Sequence, residues 1–185
     1  MIDLDHNKIG TVYGLTVFTP ILPGHEEAVR GAIEGLPRGD DGPFSRLEQL
    51  HFARLQIFDH LVYQGPPQRP DRLRMNYLVF TASFNGARDA FLDAVAVRMP
   101  VEADSWWSHC VAYPGAADRA AFTRYLKHNQ APTHLFSSPY PTATVRDVRE
   151  SLALRERAVA FAAAAQHLEP RELQEQFRRA FADLT

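Results

Sequence analysis

The chain has 185 residues, a formal net charge of −2 and one cysteine. Its length predicts a single domain, over 1–185, that buries roughly two thirds of the surface exposed by the unfolded chain. The small net charge argues against a nucleic-acid partner, and no apolar stretch is long enough to predict a membrane partner. The lone cysteine excludes an internal disulfide. The polar residues 1–10 lack the apolar core of a secretory signal, so we expect a cytoplasmic protein.

The first predicted elements are a strand and a helix. Residues 11–21 alternate between apolar and polar side chains and are rich in β-branched residues, which predicts a strand that ends at Pro20. Residues 25–36 place their apolar side chains on one side at helical spacing, so we expect a helix there. The turn formers over 37–43 predict a loop after this helix.

Two apolar strands, over 50–59 and 76–84, are predicted to form the centre of a sheet. Strand alternation places Arg54, Gln56 and Phe58 on one face of the first strand, while its opposite face is more apolar. We therefore expect helices over the apolar face and a cavity along the mixed face. The proline-rich residues 64–74 predict an exposed loop between the two strands.

A second helix over 87–99 and a fourth strand over 105–113 complete the predicted core, which spans 11–115. Alternation in this strand places Trp107, His109 and Tyr113 on one face. The element order is strand, helix, strand, strand, helix, strand. It predicts an α+β fold of the ferredoxin-like βαββαβ type, an antiparallel sheet with both helices on one face.

The remaining residues, 116–185, are predicted to form a helical extension. Helices are expected over 117–128, over 144–167 and from Pro170 onward. The last of them carries an apolar stripe of Leu173, Phe177, Phe181 and Leu184. Because two helices cover only one face of the predicted sheet, the other face must be buried by this extension or by a second chain. A homodimer is the second of these alternatives.

Four phrases of the sequence carry a resemblance to known proteins: HFARLQIFD (51–59), YLVFTASFNG (77–86), SHCVAYPG (108–115) and TVRDVRESLALRE (144–156). With the element order, the chain is similar to the dimeric α+β barrel superfamily, in which ferredoxin-like units pair sheet to sheet around a pocket. Dye-decolorising peroxidases and chlorite dismutases share this plan, but the GxxDG stretch of those haem enzymes has no match here. The phrases also resemble a recurring family of bacterial proteins, which implies a fold but no activity.

His109 is the first candidate for chemistry. A neutral imidazole at this position could bind haem iron as an axial ligand or act as a general base. Trp107 and Tyr113, on the same face of the predicted strand, could stack on the haem. The alternative is a core histidine that is hydrogen-bonded to a backbone carbonyl. The neighbouring Cys110 is expected to be a small buried residue, because nothing in the sequence would activate its thiol.

Arg54 is the second catalytic candidate. With Gln56 it could hold a carboxylate, a phenolate or a peroxide-derived oxygen through charge-assisted hydrogen bonds. The alternative is an ion pair with an acidic residue such as Glu48. The proline-containing loop after the helix over 117–128 could form a lid over the pocket. The predicted substrate-binding residues are Gln56, Phe58, His134 and Tyr140.

Two functions remain open from the sequence. The first is an enzyme, a haem-dependent or cofactor-free oxidoreductase that acts on a small aromatic or hydrophobic molecule in a pocket on the sheet face. The alternative is a non-catalytic module that binds a small molecule or docks on another protein through its C-terminal helices. No histidine spacing typical of zinc or non-haem iron and no phosphate-binding loop occurs in the sequence.

Overall fold

A computed structural model describes residues 6–60, 62–69 and 72–184, so the predictions for residues 1–5 and for residues 70–71 of the proline-rich loop lie outside it. The described residues form an α+β fold with a four-stranded antiparallel sheet and six α-helices, which confirms the predicted class. The strands are β1 (Lys8–Ile9), β2 (Val12–Pro20), β3 (Leu50–His60) and β4 (Arg72–Asn85). The helices are α1 (Glu26–Glu34), α2 (Arg88–Arg98), α3 (Pro100–Trp107), α4 (Arg119–His128), α5 (Val145–Ala164) and α6 (Pro170–Ala180). None of these helices is long and apolar enough to cross a membrane.

The sheet has the strand order β1-β2-β4-β3, with every neighbouring pair antiparallel. Because side chains alternate along a strand, the pairing register decides which residues share a face. We call one face the covered face. It carries Tyr13, Leu15, Val17, Thr19, Ala53, Leu55, Ile57, Leu78, Phe80, Ala82 and Phe84. All of these residues from β2 and β4 are buried, so this face is the floor of the hydrophobic core.

Helices α1 to α4 close the core over the covered face. The indole ring of Trp107 is fully buried and meets the ring of Phe80 edge to face, with centroids 5.6 Å apart. Phe84 stacks on Phe91 of α2 with centroids 3.8 Å apart. Phe122 of α4 also lies edge to face against Trp107. These ring contacts join three of the helices to the sheet and fix the position of α3.

The fourth strand predicted over 105–113 is wrong. Pro100 ends α2, as expected, but it also suits the first turn of a new helix because its φ is already helical. Ala103, Trp106 and Trp107 then recur at helical spacing and are all fully buried. After α3 the described residues form two isolated bridges and no further strand: Ile21 pairs with Cys110, and Val17 pairs with Gln130. The ferredoxin-like order, which needs a strand here, is therefore not confirmed.

The chain divides into two compact units, the first ending at Val145 and the second beginning at Arg146. Helix α4, which the sequence placed in the extension over 116–185, packs in the core of the first unit. In the second unit, the ring of Phe161 on α5 contacts those of Phe177 and Phe181. Phe181, from the predicted stripe, is 6% exposed, whereas Leu173, Phe177 and Leu184 are 37–57% exposed.

Two phenylalanines of the sheet, Phe80 and Phe52, should differ strongly in how much their truncation to alanine destabilises the fold. Phe80→Ala should lower the free energy of unfolding by about 3–5 kcal/mol, because a fully buried ring leaves a cavity. Phe52→Ala should cost less than about 1 kcal/mol, since that side chain is 76% exposed on the other face. Urea unfolding followed by tryptophan fluorescence measures both. Equal losses would contradict the assignment of the two faces.

Candidate functional site

The second face of the sheet, which we call the open face, carries a mixture of aromatic and polar side chains. The ladder pairings arrange them in four rows across β2, β4 and β3. In order along the sheet, these rows are Gly14–Ser83–Phe52, Thr16–Thr81–Arg54, Phe18–Val79–Gln56 and Pro20–Tyr77–Phe58. Arg54, Gln56 and Phe58 thus share one face, as strand alternation predicts. The non-local partners of Arg54 in its row, Thr16 and Thr81, were not identified from the sequence.

A roof segment, residues 133–136, lies over part of the open face. The chain is tied to β2 before this segment by a 2.8 Å hydrogen bond from the Ala131 amide to the Thr16 carbonyl. It is tied again after the segment by a 2.8 Å hydrogen bond from the Thr11 amide to the Pro141 carbonyl. Between these ties the ring of Phe136 lies directly on Gly14. A Cβ atom at Gly14 would lie 2.7 Å from two of its ring carbons, so the absent side chain makes room for the ring.

The sheet and the roof segment enclose a groove of about 470 Å³. Its apolar side chains include Phe52 from the sheet and Leu135 and Phe136 from the roof. Its polar side chains are Arg54, Thr16, Thr81, Ser83 and Thr133. The open face is the mixed face of the sequence prediction, and the groove lies where a cavity is expected. Its lining combines one charged side chain with several hydroxyl groups and two aromatic rings.

The polar side chains of the groove have no partners within the part of the chain that the structure describes. The guanidinium of Arg54 forms no ion pair or hydrogen bond there, and neither do the side-chain hydroxyls of the groove. The alternative ion pair between Arg54 and Glu48 is not formed, because Glu48 instead pairs with Arg98 at 3.2 Å. Among the described residues that line the groove, none is acidic. The groove therefore presents an uncompensated positive charge.

None of the four predicted substrate-binding residues belongs to the described lining of the groove. Gln56 and Phe58 lie farther along the open face, where the ring of Phe58 meets that of Phe18 with centroids 6.4 Å apart. His134 belongs to the roof segment but is exposed, and Tyr140 is 75% exposed. The roof segment belongs to the loop that the sequence predicts to form a lid, and its residues in the groove lining are Thr133, Leu135 and Phe136.

His109 lies in the turn after α3 and not on the open face, so the structure does not bring the two catalytic candidates into one pocket. Its Nδ1 atom is 2.9 Å from Nδ1 of His25, which directly precedes α1. One ring donates this hydrogen bond and the other accepts it. The ring centroids are 5.2 Å apart, so the rings meet almost end to end. Among the described residues, no three His, Cys, Asp or Glu side chains are grouped to hold a metal ion.

Trp107 and Tyr113 are not placed to stack on a haem bound to His109. The Trp107 indole is enclosed by the rings of Phe80, Trp106 and Phe122. The Tyr113 hydroxyl donates a 2.7 Å hydrogen bond to Oδ1 of Asp104. Burial and this carboxylate raise the pKa of Tyr113 well above its usual value. The residues do not fit a flat cofactor, and haem binding stays a prediction from the sequence.

A second cleft, of about 570 Å³, lies where β2 and β3 end and β4 begins. Four of its five polar side chains pair with one another, and the fifth, Arg74, has no partner among the described residues. The side-chain amide of Asn76 donates a 2.9 Å hydrogen bond to Glu26, and Asp59 is bound to the imidazole of His60. This bond lowers the pKa of Asp59. The contrast with the unpaired polar groups of the groove makes the groove the better candidate for a ligand site.

Cys110 is buried, and burial raises the pKa of its thiol to about 11 from 9.0. An unfolded thiol ionises near pH 9, so the unfolded state binds fewer protons than the folded state between pH 9 and 11. The free energy of unfolding should therefore fall as the pH rises through this window, by at most about 1.4 kcal/mol per pH unit from this group. Cys110→Ala should remove that part of the slope.

Urea unfolding at several pH values between 8 and 10.5 measures the difference between the two proteins. Burial also raises the pKa of Tyr113 and Tyr125, but both tyrosines are present in the wild type and in the variant. Cys110 also helps to raise the pKa of both tyrosines, so the difference between the slopes reports the thiol together with its electrostatic effect on Tyr113 and Tyr125. Parallel curves for the two proteins would show that the Cys110 thiol ionises normally in the folded state.

The chain was also compared as a whole with known proteins. No family model, no curated protein and no solved structure matches it. The groove and its unpaired polar groups are therefore the features of this molecule that indicate a function.

Proposed function

We propose that this protein binds a small organic molecule in the groove on the open face. The observation that carries the proposal is the row Thr16–Thr81–Arg54, a guanidinium and two hydroxyls side by side that have no side-chain partner among the described residues. An arginine in such a row is ready to form charge-assisted hydrogen bonds to a ligand, which are about twice as strong as neutral ones. Adjacent hydroxyls can donate or accept further bonds.

The apolar part of the groove supports the same proposal. Phe52 is 76% exposed and Leu135 is 85% exposed, although both side chains are large and apolar. Exposed apolar side chains grouped beside a few convergent polar groups are typical of ligand sites. A ligand that covered them would gain roughly 25 cal/mol for each Å² of apolar surface removed from water.

The described lining of the groove favours binding over catalysis. It contains no histidine, cysteine or carboxylate that could take up or release a proton during a reaction. Arg54 is able to orient and stabilise an anion through charge-assisted hydrogen bonds. The non-catalytic binding module is therefore the version that the geometry supports best. An oxidoreductase would need its reactive group from a cofactor or co-substrate.

Two interactions with other chains stay predictions: a homodimer and docking on another protein. The elements β2, α1, β3, β4 and α2 follow the order of the first five elements of a ferredoxin-like unit. In the dimeric α+β barrel superfamily, which the sequence resembles, such units pair through their sheets. A second copy of the chain is therefore the alternative to a ligand as the partner of the open face. Docking on another protein through the C-terminal helices is the second alternative.

Gly14→Ala tests whether the groove is the ligand site. The new methyl group should displace the Phe136 ring and weaken binding of 2-naphthoate, a small aromatic anion, by at least fivefold. Gly31→Ala is the matched control, because a Cβ atom there meets no other atom within 4 Å. Isothermal titration calorimetry gives the affinities, and amide chemical shifts should map the bound ligand to β2, β3, β4 and the roof segment. Shifts confined to other parts of the chain would refute the proposal.

A further inference from the structure

The charge of the groove limits the ligands that suit it, and this step rests on the function proposed above. Arg54 is the one charged side chain in the described lining. Successive backbone N–H groups of an extended strand point in opposite directions within the plane of the sheet, so the paired stretches of β2, β3 and β4 offer no nest of amides on the open face for a multiply charged anion. The site therefore compensates one negative charge and not two.

A single guanidinium matches a carboxylate in shape as well as in charge. Its planar set of N–H donors forms two parallel hydrogen bonds to the two carboxylate oxygens. A phosphate monoester would carry a second negative charge into the groove without a second cation to meet it. A neutral ligand would cover Arg54 and leave its charge without a partner, which is unfavourable.

The neighbouring row of the sheet sets the shape of the rest of the ligand. The row Gly14–Ser83–Phe52 lies two residues along the strands from the row of Arg54, which is about 7 Å in an extended strand. Phe52 stands at one end of this row, and the ring of Phe136 lies over Gly14 at the other end. An aromatic ring system bound over Ser83 would lie between the rings of Phe52 and Phe136. The row spacing of about 7 Å is also the distance from a carboxylate to the far side of one or two fused rings.

From these three features we infer that the groove binds an aromatic monocarboxylate. The carboxylate pairs with Arg54 and accepts a hydrogen bond from the Thr81 hydroxyl, which is the cross-strand neighbour of Arg54. The aromatic ring lies between Phe52 and Phe136. The Ser83 hydroxyl faces the ring and can bind one polar ring substituent.

Three ligands with one aromatic body test this inference: 2-naphthoate, the neutral 2-naphthamide and 2-naphthyl phosphate. Titration calorimetry at low ionic strength should give the carboxylate at least tenfold tighter binding to the wild type than either of the others. Arg54→Met should abolish this preference and leave the three affinities within about threefold of one another. Arg54→Lys should keep part of the preference, because it retains the charge but loses the planar pair of donors.

Arg124→Met is the matched control, since Arg124 is an exposed arginine of α4 outside the groove, and it should bind like the wild type. Circular dichroism and urea midpoints should show that each variant is folded. The inference is overturned if the amide or the phosphate binds as tightly as the carboxylate, or if Arg54→Met keeps the preference.

Two further outcomes separate this inference from the proposed function. If the amide binds at the groove as tightly as the carboxylate, the proposed binding function stands and only the ligand class falls. If none of the three ligands binds, and sedimentation shows a dimer that Arg54→Met dissociates, both fall. A second copy of the chain is then the partner of Arg54.

Discussion

The pairing register of β2, β4 and β3 is the constraint on which the rest of the molecule depends. Side chains alternate along each strand, so a shift of one residue in either ladder would move its whole set to the opposite face. In the observed register, Val17, Phe80 and Leu55 meet on the covered face, while Thr16, Thr81 and Arg54 meet on the open face. The hydrophobic core therefore also fixes the groove. A register shift that removed the polar row from the open face would move the apolar residues of the same strand out of the core.

The helix at Pro100–Trp107 explains why the two faces differ so strongly. A strand at this position would have widened the sheet, whereas α3 places Trp106 and Trp107 over the covered face. The turn that follows α3 is held to the chain before α1 by the bridge from Ile21 to Cys110 and by the bond between His25 and His109. His109 therefore joins two turns at the surface of the core, between the exposed Ser108 and the buried Cys110.

Local patterns of the sequence predicted the α+β class, the strands β3 and β4 and the face that carries Arg54, because these depend only on alternation within a strand. The prediction that these two strands form the centre of the sheet is wrong for β3, which lies at the edge, since the inner strands are β2 and β4. Alternation misled at 105–113. There Trp107, His109 and Tyr113 fit a strand on paper, but the burial of Ala103, Trp106 and Trp107 follows a helical period that begins at Pro100. The roof segment and the row Thr16–Thr81–Arg54 could not be predicted, because each joins residues distant in the chain, and only the register brings them together.

Position 14 shows how the groove constrains the stability of the whole sheet. Glycine inside a strand weakens it, because the unfolded chain is more flexible there and no side chain packs on the neighbouring strands. At position 14 glycine also leaves the space that the Phe136 ring occupies. A more stable strand and room for the Phe136 ring are therefore competing demands on one residue. Homologues with an aromatic ring at position 136 should retain glycine at position 14, and those without this ring should accept larger, strand-favouring residues there.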